Sequence, residues 1–473
     1  MQALKWAGLA KFAGQLLSWA TTVVVLRLLR AEDYGLMAIV TVSTAVLASV
    51  AELGLGASVV QSQTLTEEDA RRVSGLALVV NLTACLLMLL CAPLAGLIYD
   101  DPRLNTLVRV ASLQFVLNAI TTVPQAMAYR DMAFKRLAWI EFASMGVAGV
   151  LTLAIALLGG GVWALLLGGL CQAAVRSALL ISRQRYLRPK FGFRGLRKVV
   201  EFGGAVTLSR LTWQVVYQTD VLIAGIRLAP SVLGLYSVSL HLATLPMQKL
   251  MGVVNQVAFP AFAKLQSDRP RLAKRLVEAT RVMLACAVPV LWGMSAVAQE
   301  LVTLVLGAKW KAAAFPLFAV CLTVPFRMVS AVFSTAVIGI GRAGLDVRCS
   351  LISAVVLPVS FLIGTHWGAD GLAVSWLWAV PLVMALGLPP MFEAVGTNSL
   401  ELLRAAWVPL FAGVLMFGAV FLTREFLHDG AGWVRLPAMF AAGALVYVSA
   451  LKILGPDIFV EMGQLVRAAR EPG

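Results

Sequence analysis

Apolar stretches long enough to cross a lipid bilayer recur along almost the whole chain. A transmembrane helix needs about 20 mostly apolar residues, and about fourteen stretches of roughly that length alternate with short polar segments. The pattern predicts an all-α, polytopic membrane protein with about fourteen transmembrane helices. The predicted spans are 4–28, 34–61, 73–98, 104–127, 137–158, 161–181, 200–224, 231–261, 278–300, 312–338, 345–365, 370–391, 405–423 and 434–453.

The loops between these spans alternate in their content of basic residues. One set of loops carries about 24 Lys and Arg residues and the other about 8. Cytoplasmic loops of membrane proteins are enriched in Lys and Arg, so the alternation supports the helix count and predicts that both termini are cytoplasmic. The net charge of +15 is then mostly a matter of topology, and we expect no nucleic-acid partner.

A segment near the N-terminus recurs about 199 positions later in altered form. The first copy is KFAGQLLSWATTVVVLRLLRAEDYGL and the second is RLTWQVVYQTDVLIAGIRLAPSVLGL. Internal repeats are common in transporters, where each copy forms one half of the bundle. We therefore predict two pseudo-symmetric six-helix lobes, 1–182 and 200–395, joined by a basic cytoplasmic linker at 183–199. Residues 396–473 add helices 13 and 14 and an amphipathic cytoplasmic tail, which we expect on the inner membrane surface.

Each copy of the repeat places a basic residue inside a predicted span, Lys11 in the first and Arg210 in the second. Charge is costly within the bilayer and often functional there. Both cations lie about three helical turns above the cytoplasmic end of their helices, so we expect them to face each other across the lobe interface and to bind an anionic substrate. Gln15 and Gln214 follow one turn later and could bond phosphate or sugar hydroxyls. The alternative is that Lys11 extends to the membrane surface and Arg210 pairs with Glu201 or a carbonyl group.

Five further polar residues in the spans are candidates for the cavity. Lys249 and Arg327 are additional candidate substrate-binding cations. Glu52 lies near the depth of the first cation and is expected to pair with it when the cavity is empty. Asp220 is either an outer gate or protonatable site, or a solvated acid at the cavity mouth. His241 is a candidate for titration near neutral pH, although a lone histidine is more often a packing residue.

Several function classes lack their sequence signatures. The chain has no P-loop, so we expect that ATP is not the direct energy source, and it has no H-E-x-x-H or G-x-S-x-G motif. The six cysteines show no metal-ligand spacing. We therefore expect no metal and no cofactor, while coupling to a proton or sodium gradient stays open. No cleavable signal peptide is apparent, and the first span is expected to be retained.

Four ordered segments together carry a family resemblance that covers about residues 1–455. They are RLLRAEDYGLMAIV, IRLAPSVLGLYSVS, AYRDMAFKRLAWIEF and GADGLAVSWL. The chain resembles the polysaccharide-transporter family, the Wzx-type flippases, of the multidrug/oligosaccharidyl-lipid/polysaccharide (MOP) exporter superfamily. The resemblance implies a bacterial inner-membrane flippase with a central cationic cavity between two six-helix lobes. It also implies that undecaprenyl-diphosphate-linked oligosaccharide moves from the cytoplasmic to the periplasmic leaflet by alternating access, for exopolysaccharide, capsule or O-antigen (lipopolysaccharide) synthesis.

Carried over to this chain, the cavity cations of the first and seventh spans fall on Lys11 and Arg210. Lysine offers a point charge where arginine offers a two-pronged donor, so the resemblance implies looser gripping of a diphosphate at the first position. The implied partners are the lipid-linked oligosaccharide, membrane lipids and the polysaccharide polymerase or export machinery.

Two alternatives from other classes stay open at this point. A multidrug/cation antiporter of the same superfamily would need an acid-rich cavity, whereas this chain has more cations than acids in its spans. A membrane glycan polymerase or ligase would need a long catalytic outer loop, and no predicted outer loop exceeds about a dozen residues.

Overall fold

The structure is a computed structural model that describes most of the chain. The described residues are 19–52, 55–56, 59, 66–182, 189–192, 214, 216–264, 268–428 and 432–468. They form two compact units, Met1–Gly234 and Leu235–Gly473. Every regular element in the described residues is helical, so the all-α prediction is confirmed.

The first unit is built from helices that pack side by side. Within it, α6 packs against α7 and α3 packs against α5. Its helices include α1 (Trp19–Leu28), α2 (Ala31–Glu52), α3 (Glu67–Ile98), α4 (Arg103–Ala111), α5 (Leu113–Arg130), α6 (Phe134–Leu157) and α7 (Val162–Ile181). Residues 216–227 are also helical.

The second unit is also helical in its described residues. Helix α9 packs against both α10 and α14, α12 packs against α10 and α11, and α14 packs against α15. Its helices are α8 (Pro230–Lys264), which begins in the first unit, α9 (Arg269–Ala296), α10 (Ala314–Gly339), α11 (Ala343–Gly364), α12 (Gly368–Gly387), α13 (Pro389–Val395), α14 (Ser399–Phe426), α15 (Gly432–Leu454) and α16 (Asp457–Ala468).

Local sequence signals explain where several helices begin. Helix α3 starts with a capping box, in which the Asp69 backbone N–H donates to the Thr66 hydroxyl (3.1 Å) and the Thr66 N–H donates to the Asp69 carboxylate (3.2 Å). Two glycines with positive φ mark the starts of helices: Gly161 (52°) directly precedes α7, and Gly368 (66°) is the first residue of α12. These two glycines lie in the turns LGGGVW and HWGADG, and the left-handed conformation that both adopt suits glycine.

The predicted spans agree well with the helices. Ten helical segments of the described chain are long and apolar enough to cross a membrane. One of them, Ala343–Gly387, comprises α11 and α12 with a short turn between them. The predicted spans 4–28 and 200–224 fall largely outside the described residues, whereas every other predicted span overlaps a helix. The multi-pass membrane fold is therefore confirmed, and the count of fourteen stays a prediction.

The two compact units divide after Gly234, whereas the predicted lobes divide at the linker 183–199. Residues 193–213 lie outside the described part of the chain. The lobe boundaries, including the separate assignment of 396–473, therefore stay a prediction.

The predicted amphipathic tail forms helix α16. Ile458 is buried, while Phe459 and Val460 are exposed, so the helix has one packed and one open face. Glu461 forms an ion pair with Arg281 of α9. Burial raises the pKa of the Glu461 carboxyl above its usual value despite the arginine beside it.

Candidate functional site

The predicted pair of repeat cations lies outside the described residues. This applies to Lys11, Gln15 and Arg210, which fall in 1–18 and 193–213. Their predicted convergence on one cavity therefore stays a prediction.

The other predicted site residues occupy different environments. Asp220 is 1% exposed and its carboxylate accepts a hydrogen bond from the Val221 backbone N–H (2.8 Å). Gln214 is half-buried. The remaining predicted residues on α2 and α8 are exposed, namely Glu52, His241 and Lys249.

Arg327 is the predicted cavity cation whose surroundings are described most fully. It lies near the middle of α10, and its guanidinium carbon sits 4.3 Å from the ring centroid of Trp376 on α12. The indole Nε1 of Trp376 donates a hydrogen bond to the hydroxyl of Tyr236 on α8 (2.8 Å). Phe361 of α11 packs edge-on against the same indole, with the centroids 5.0 Å apart. Four helices of the second unit thus meet at one buried tryptophan.

Close packing of α11 and α12 positions this tryptophan. The Ser375 hydroxyl, one residue before it, can donate to the carbonyl oxygens of Ser360 and Gly371, both at 2.9 Å. A Cβ atom at Gly371 would overlap the carbonyl oxygen of Gly364, so only glycine permits this helix separation. The close contact between α11 and α12 therefore fixes the position of the indole.

The Arg327–Trp376–Tyr236 cluster keeps a positive charge near the middle of a membrane-spanning helix. A cation over a desolvated aromatic face is stabilised by about 2 kcal/mol. Because the arginine is only half-buried, it combines a fixed position with access to a ligand. The sequence indicated Arg327 but not its two aromatic partners, which are 49 and 91 residues away from it in the chain.

The first turns of α2 and α8, where the two repeat copies end, meet in a reciprocal contact. A Cβ atom at Gly35 would overlap the carbonyl oxygen of Pro230, and one at Gly234 would overlap the carbonyl oxygen of Ala31. Gly35 and Gly234 are equivalent in the repeat, as are Ala31 and Pro230, since each pair is separated by 199 positions. The starts of α2 and α8 therefore contact each other as pseudo-symmetric partners.

A surface ion triad joins two turns of the first unit near the same contact. Arg103 donates to the carboxylate of Asp101 (2.7 Å) and to that of Glu32, in the first turn of α2. The arginine holds the pKa of Asp101 below its usual range through these hydrogen bonds. No sequence pattern indicated this triad, because Glu32 and Arg103 are 71 residues apart.

Part of the basic linker is anchored to the first unit. The backbone N–H of Lys190 donates to the carbonyl oxygen of Arg71 (3.0 Å), and its ammonium group pairs with Glu68 (2.7 Å). The described residues of the linker thus pack on the first turns of α3.

No group of three or more His, Cys, Asp or Glu residues that could hold a metal ion occurs among the described residues.

Sequence comparisons agree with this architecture. The family model described as "Polysaccharide biosynthesis protein" matches residues 24–315. The chain is 26% identical over 472 residues to the succinoglycan biosynthesis transport protein ExoT of Rhizobium meliloti (strain 1021), covering 98% of this chain and 95% of that protein. It is 22% identical to the lipopolysaccharide biosynthesis protein WzxC of Escherichia coli (strain K12), covering 86% and 84% of the two chains.

Solved structures with the same fold are membrane transporters. The lipid II flippase MurJ in an inward closed conformation matches with a TM-score of 0.71 at 14% identity, covering 96% of this chain and 99% of that one. An inward-facing multidrug resistance MATE transporter of the MOP superfamily matches with a TM-score of 0.66 at 14% identity, covering 81% and 94%. The fold is therefore that of MOP-superfamily transporters, and the chain belongs to the polysaccharide biosynthesis protein family.

Proposed function

We propose that this protein is a flippase that moves undecaprenyl-diphosphate-linked oligosaccharide from the cytoplasmic to the periplasmic leaflet of the bacterial inner membrane. Its product would serve the synthesis of exopolysaccharide, capsule or O-antigen. The observation that carries the proposal is the match over 98% of the chain to a succinoglycan biosynthesis transport protein. The likeness to the fold of a lipid II flippase supports it.

The intramembrane charges suit such a substrate. A diphosphate that enters a low-dielectric cleft loses water and must be compensated by charge and hydrogen bonds. Lys11 and Arg210 are the proposed principal cations, with Gln15 and Gln214 as hydrogen-bonding partners. Arg327, fixed over Trp376 and half-buried, supplies a further positive charge in the second unit. Lys249, exposed on α8, is proposed as another contact to the substrate.

Alternating access is the proposed mechanism, with the lipid tail kept in the bilayer while the headgroup crosses. Asp220, which is buried, is proposed as an outer gate or protonatable group. Glu52 and His241 are proposed to take part in gating. Both termini are proposed to be cytoplasmic, which follows from the distribution of Lys and Arg between the loops.

The relatives favour a flippase over a multidrug antiporter. The curated relatives named above are polysaccharide biosynthesis proteins, so a multidrug antiporter is not proposed, although one such transporter shares the fold. A polymerase or export complex is the proposed consumer of the flipped product.

The direct test is lipid transfer in liposomes that contain the purified protein and a fluorescent polyprenyl-diphosphate sugar. We expect the label to become accessible in the opposite leaflet, and we expect Lys11→Ala or Arg210→Ala to reduce the rate at least tenfold. Lys452→Ala, in the exposed last turn of α15, is the matched control and should retain the wild-type rate.

Two outcomes would overturn the proposal. Transfer no faster than in protein-free liposomes would remove the flippase assignment, and lengthening of the glycan would indicate an enzyme. Wild-type transfer by the Lys11→Ala, Arg210→Ala double variant would disprove the proposed cation pair while leaving the flippase assignment in place.

A further inference from the structure

A second ion triad lies at one end of the second unit, apart from the Arg327 cluster. It consists of Glu300, in the short helical turn after α9, Arg424, near the end of α14, and Arg435, in the first turn of α15. The distribution of basic residues between the loops predicts that this end faces outward. The proposed transport cavity does not use these residues.

Both oxygens of the Glu300 carboxylate are engaged. Arg424 Nη2 donates to Oε2 at 2.8 Å and Arg435 Nη2 donates to Oε1 at 2.7 Å. Arg424 Nη2 also donates to the carbonyl oxygen of Ala296 at 2.8 Å. The glutamate side chain is only 9% exposed, so it is held by two guanidinium groups in a largely dry setting.

The triad carries one positive charge more than its carboxylate neutralises. Arginine stays protonated in proteins, so two guanidinium groups share a single negative charge. The Nε atoms of Arg424 and Arg435 are both buried and make no hydrogen bond to the described residues. Buried donors and buried surplus charge are both unfavourable unless a partner satisfies them. Two guanidinium groups beside a single carboxylate therefore favour a further anion that accepts hydrogen bonds.

The two arginines remain accessible on one side. Their side chains are 28% and 23% exposed, so a ligand can reach both residues. Trp433, two residues before Arg435, is largely exposed, and tryptophan is enriched at the level of the lipid headgroups. An anion reaching this end of the protein from the bilayer would therefore arrive at headgroup depth.

We propose that Arg424 and Arg435, held apart and oriented by Glu300, form a binding site for the phosphate of a lipid headgroup at the outer end of the second unit. Guanidinium groups match phosphate oxygens with paired hydrogen bonds. One surplus positive charge suits a phosphodiester or a diphosphate. The phosphate has two sources: a resident phospholipid, or the transported diphosphate lipid after it has crossed, which rests on the proposed function.

The test measures binding without transport, using the full-length protein in detergent micelles. Microscale thermophoresis would give the affinities for undecaprenyl diphosphate, phosphatidylglycerol and the uncharged lipid diacylglycerol. We expect Arg435→Gln and Arg424→Gln each to weaken binding of at least one phosphate lipid tenfold or more, without changing the affinity for diacylglycerol. Lys452→Gln, at the opposite end of α15 from Arg435, is the control and should bind as the wild type does.

The pattern of loss identifies the source of the phosphate. A loss confined to undecaprenyl diphosphate supports a site for the transported lipid, and an equal loss for phosphatidylglycerol supports a general headgroup site. The second result stands even when transfer in liposomes fails, so this proposal and the proposed function can fail separately.

A further variant guards against loss of folding. If Arg435→Gln does not fold, Arg435→Lys keeps the charge but loses the paired donors and should weaken binding by a smaller factor. Wild-type phosphate affinity in all the arginine variants, together with a lowered melting temperature, would show a purely structural clamp and would overturn the proposal.

Discussion

The ion triad around Arg103 in the first unit and the ion triad around Glu300 in the second have opposite composition. In the first unit one arginine, Arg103, forms ion pairs with two acids, Glu32 and Asp101. In the second unit one acid, Glu300, forms ion pairs with two arginines, Arg424 and Arg435. The first triad therefore carries a surplus negative charge and the second a surplus positive charge.

The triads also differ in burial, and burial decides their energetic weight. In the first triad the arginine side chain is 54% exposed and the two acids are 41% and 11% exposed. In the second the acid side chain is 9% exposed and the two arginines are 28% and 23% exposed. Exposed ion pairs typically contribute about 0–1 kcal/mol, but removing one partner of a buried pair costs about 3–5 kcal/mol. The first triad is thus a surface link between turns. The second holds α14 and α15 to the end of α9 and leaves a charge available to a ligand.

The largest expected effect comes from removing the buried acid. Glu300→Ala leaves two guanidinium groups facing each other without a counter-charge, so we expect the free energy of unfolding to fall by about 3–5 kcal/mol. Denaturant unfolding in mixed micelles would measure it. Glu425→Ala, at an exposed position next to Arg424, is the control and should change stability by less than about 0.5 kcal/mol. A loss no larger than that of the control would contradict the contrast in burial.

The corresponding change in the first unit should have a smaller effect. Arg103→Gln leaves Asp101 and Glu32 without their shared cation, and we expect a loss of about 1 kcal/mol, since the arginine is well exposed. Arg109→Gln, exposed on the same helix, is the matched control. A loss as large as that of Glu300→Ala would show that exposure does not separate the two triads.

The acids should respond to pH in a way that depends on their surroundings. The pKa of Asp101 is held below its usual range by Arg103, so its stabilising contribution is present above the ordinary carboxyl pKa and is lost as the pH falls through the lowered pKa. Melting temperatures measured from about pH 7 down to about pH 3 should fall more steeply for the wild type than for Asp101→Asn. Parallel curves would show that the pair contributes nothing to the pH dependence.

The smallest expected effect concerns the tail helix of the second unit. Burial raises the pKa of Glu461, so its contribution is present below the unfolded-state pKa and is lost as the pH rises through the raised pKa. Limited proteolysis of α16 should therefore become faster with rising pH in the wild type. Glu461→Gln, which resembles the protonated acid, should flatten this dependence, and an unchanged dependence would assign it to other groups.

Hydrophobic patterning predicted most of the architecture. The spans and the amphipathic tail depend on neighbouring residues, which a sequence displays directly. The triads and the Trp376 cluster depend on side chains far apart in the chain, with Glu300 and Arg435 separated by 135 residues. Tertiary packing alone brings such distant side chains together. Hydrophobic patterning therefore indicated Arg327 but not its neighbours Trp376 and Tyr236.

The reciprocal glycine contact at the starts of α2 and α8 has a consequence for mutational tolerance. Each glycine accommodates the backbone of the other copy, so a methyl group added at Gly35 or at Gly234 pushes apart the same two helix ends. The duplicated sequence therefore does not protect this contact against mutation. Damage in one copy cannot be compensated by the intact sequence of its twin, because the twin is the very surface that the damaged copy has to meet.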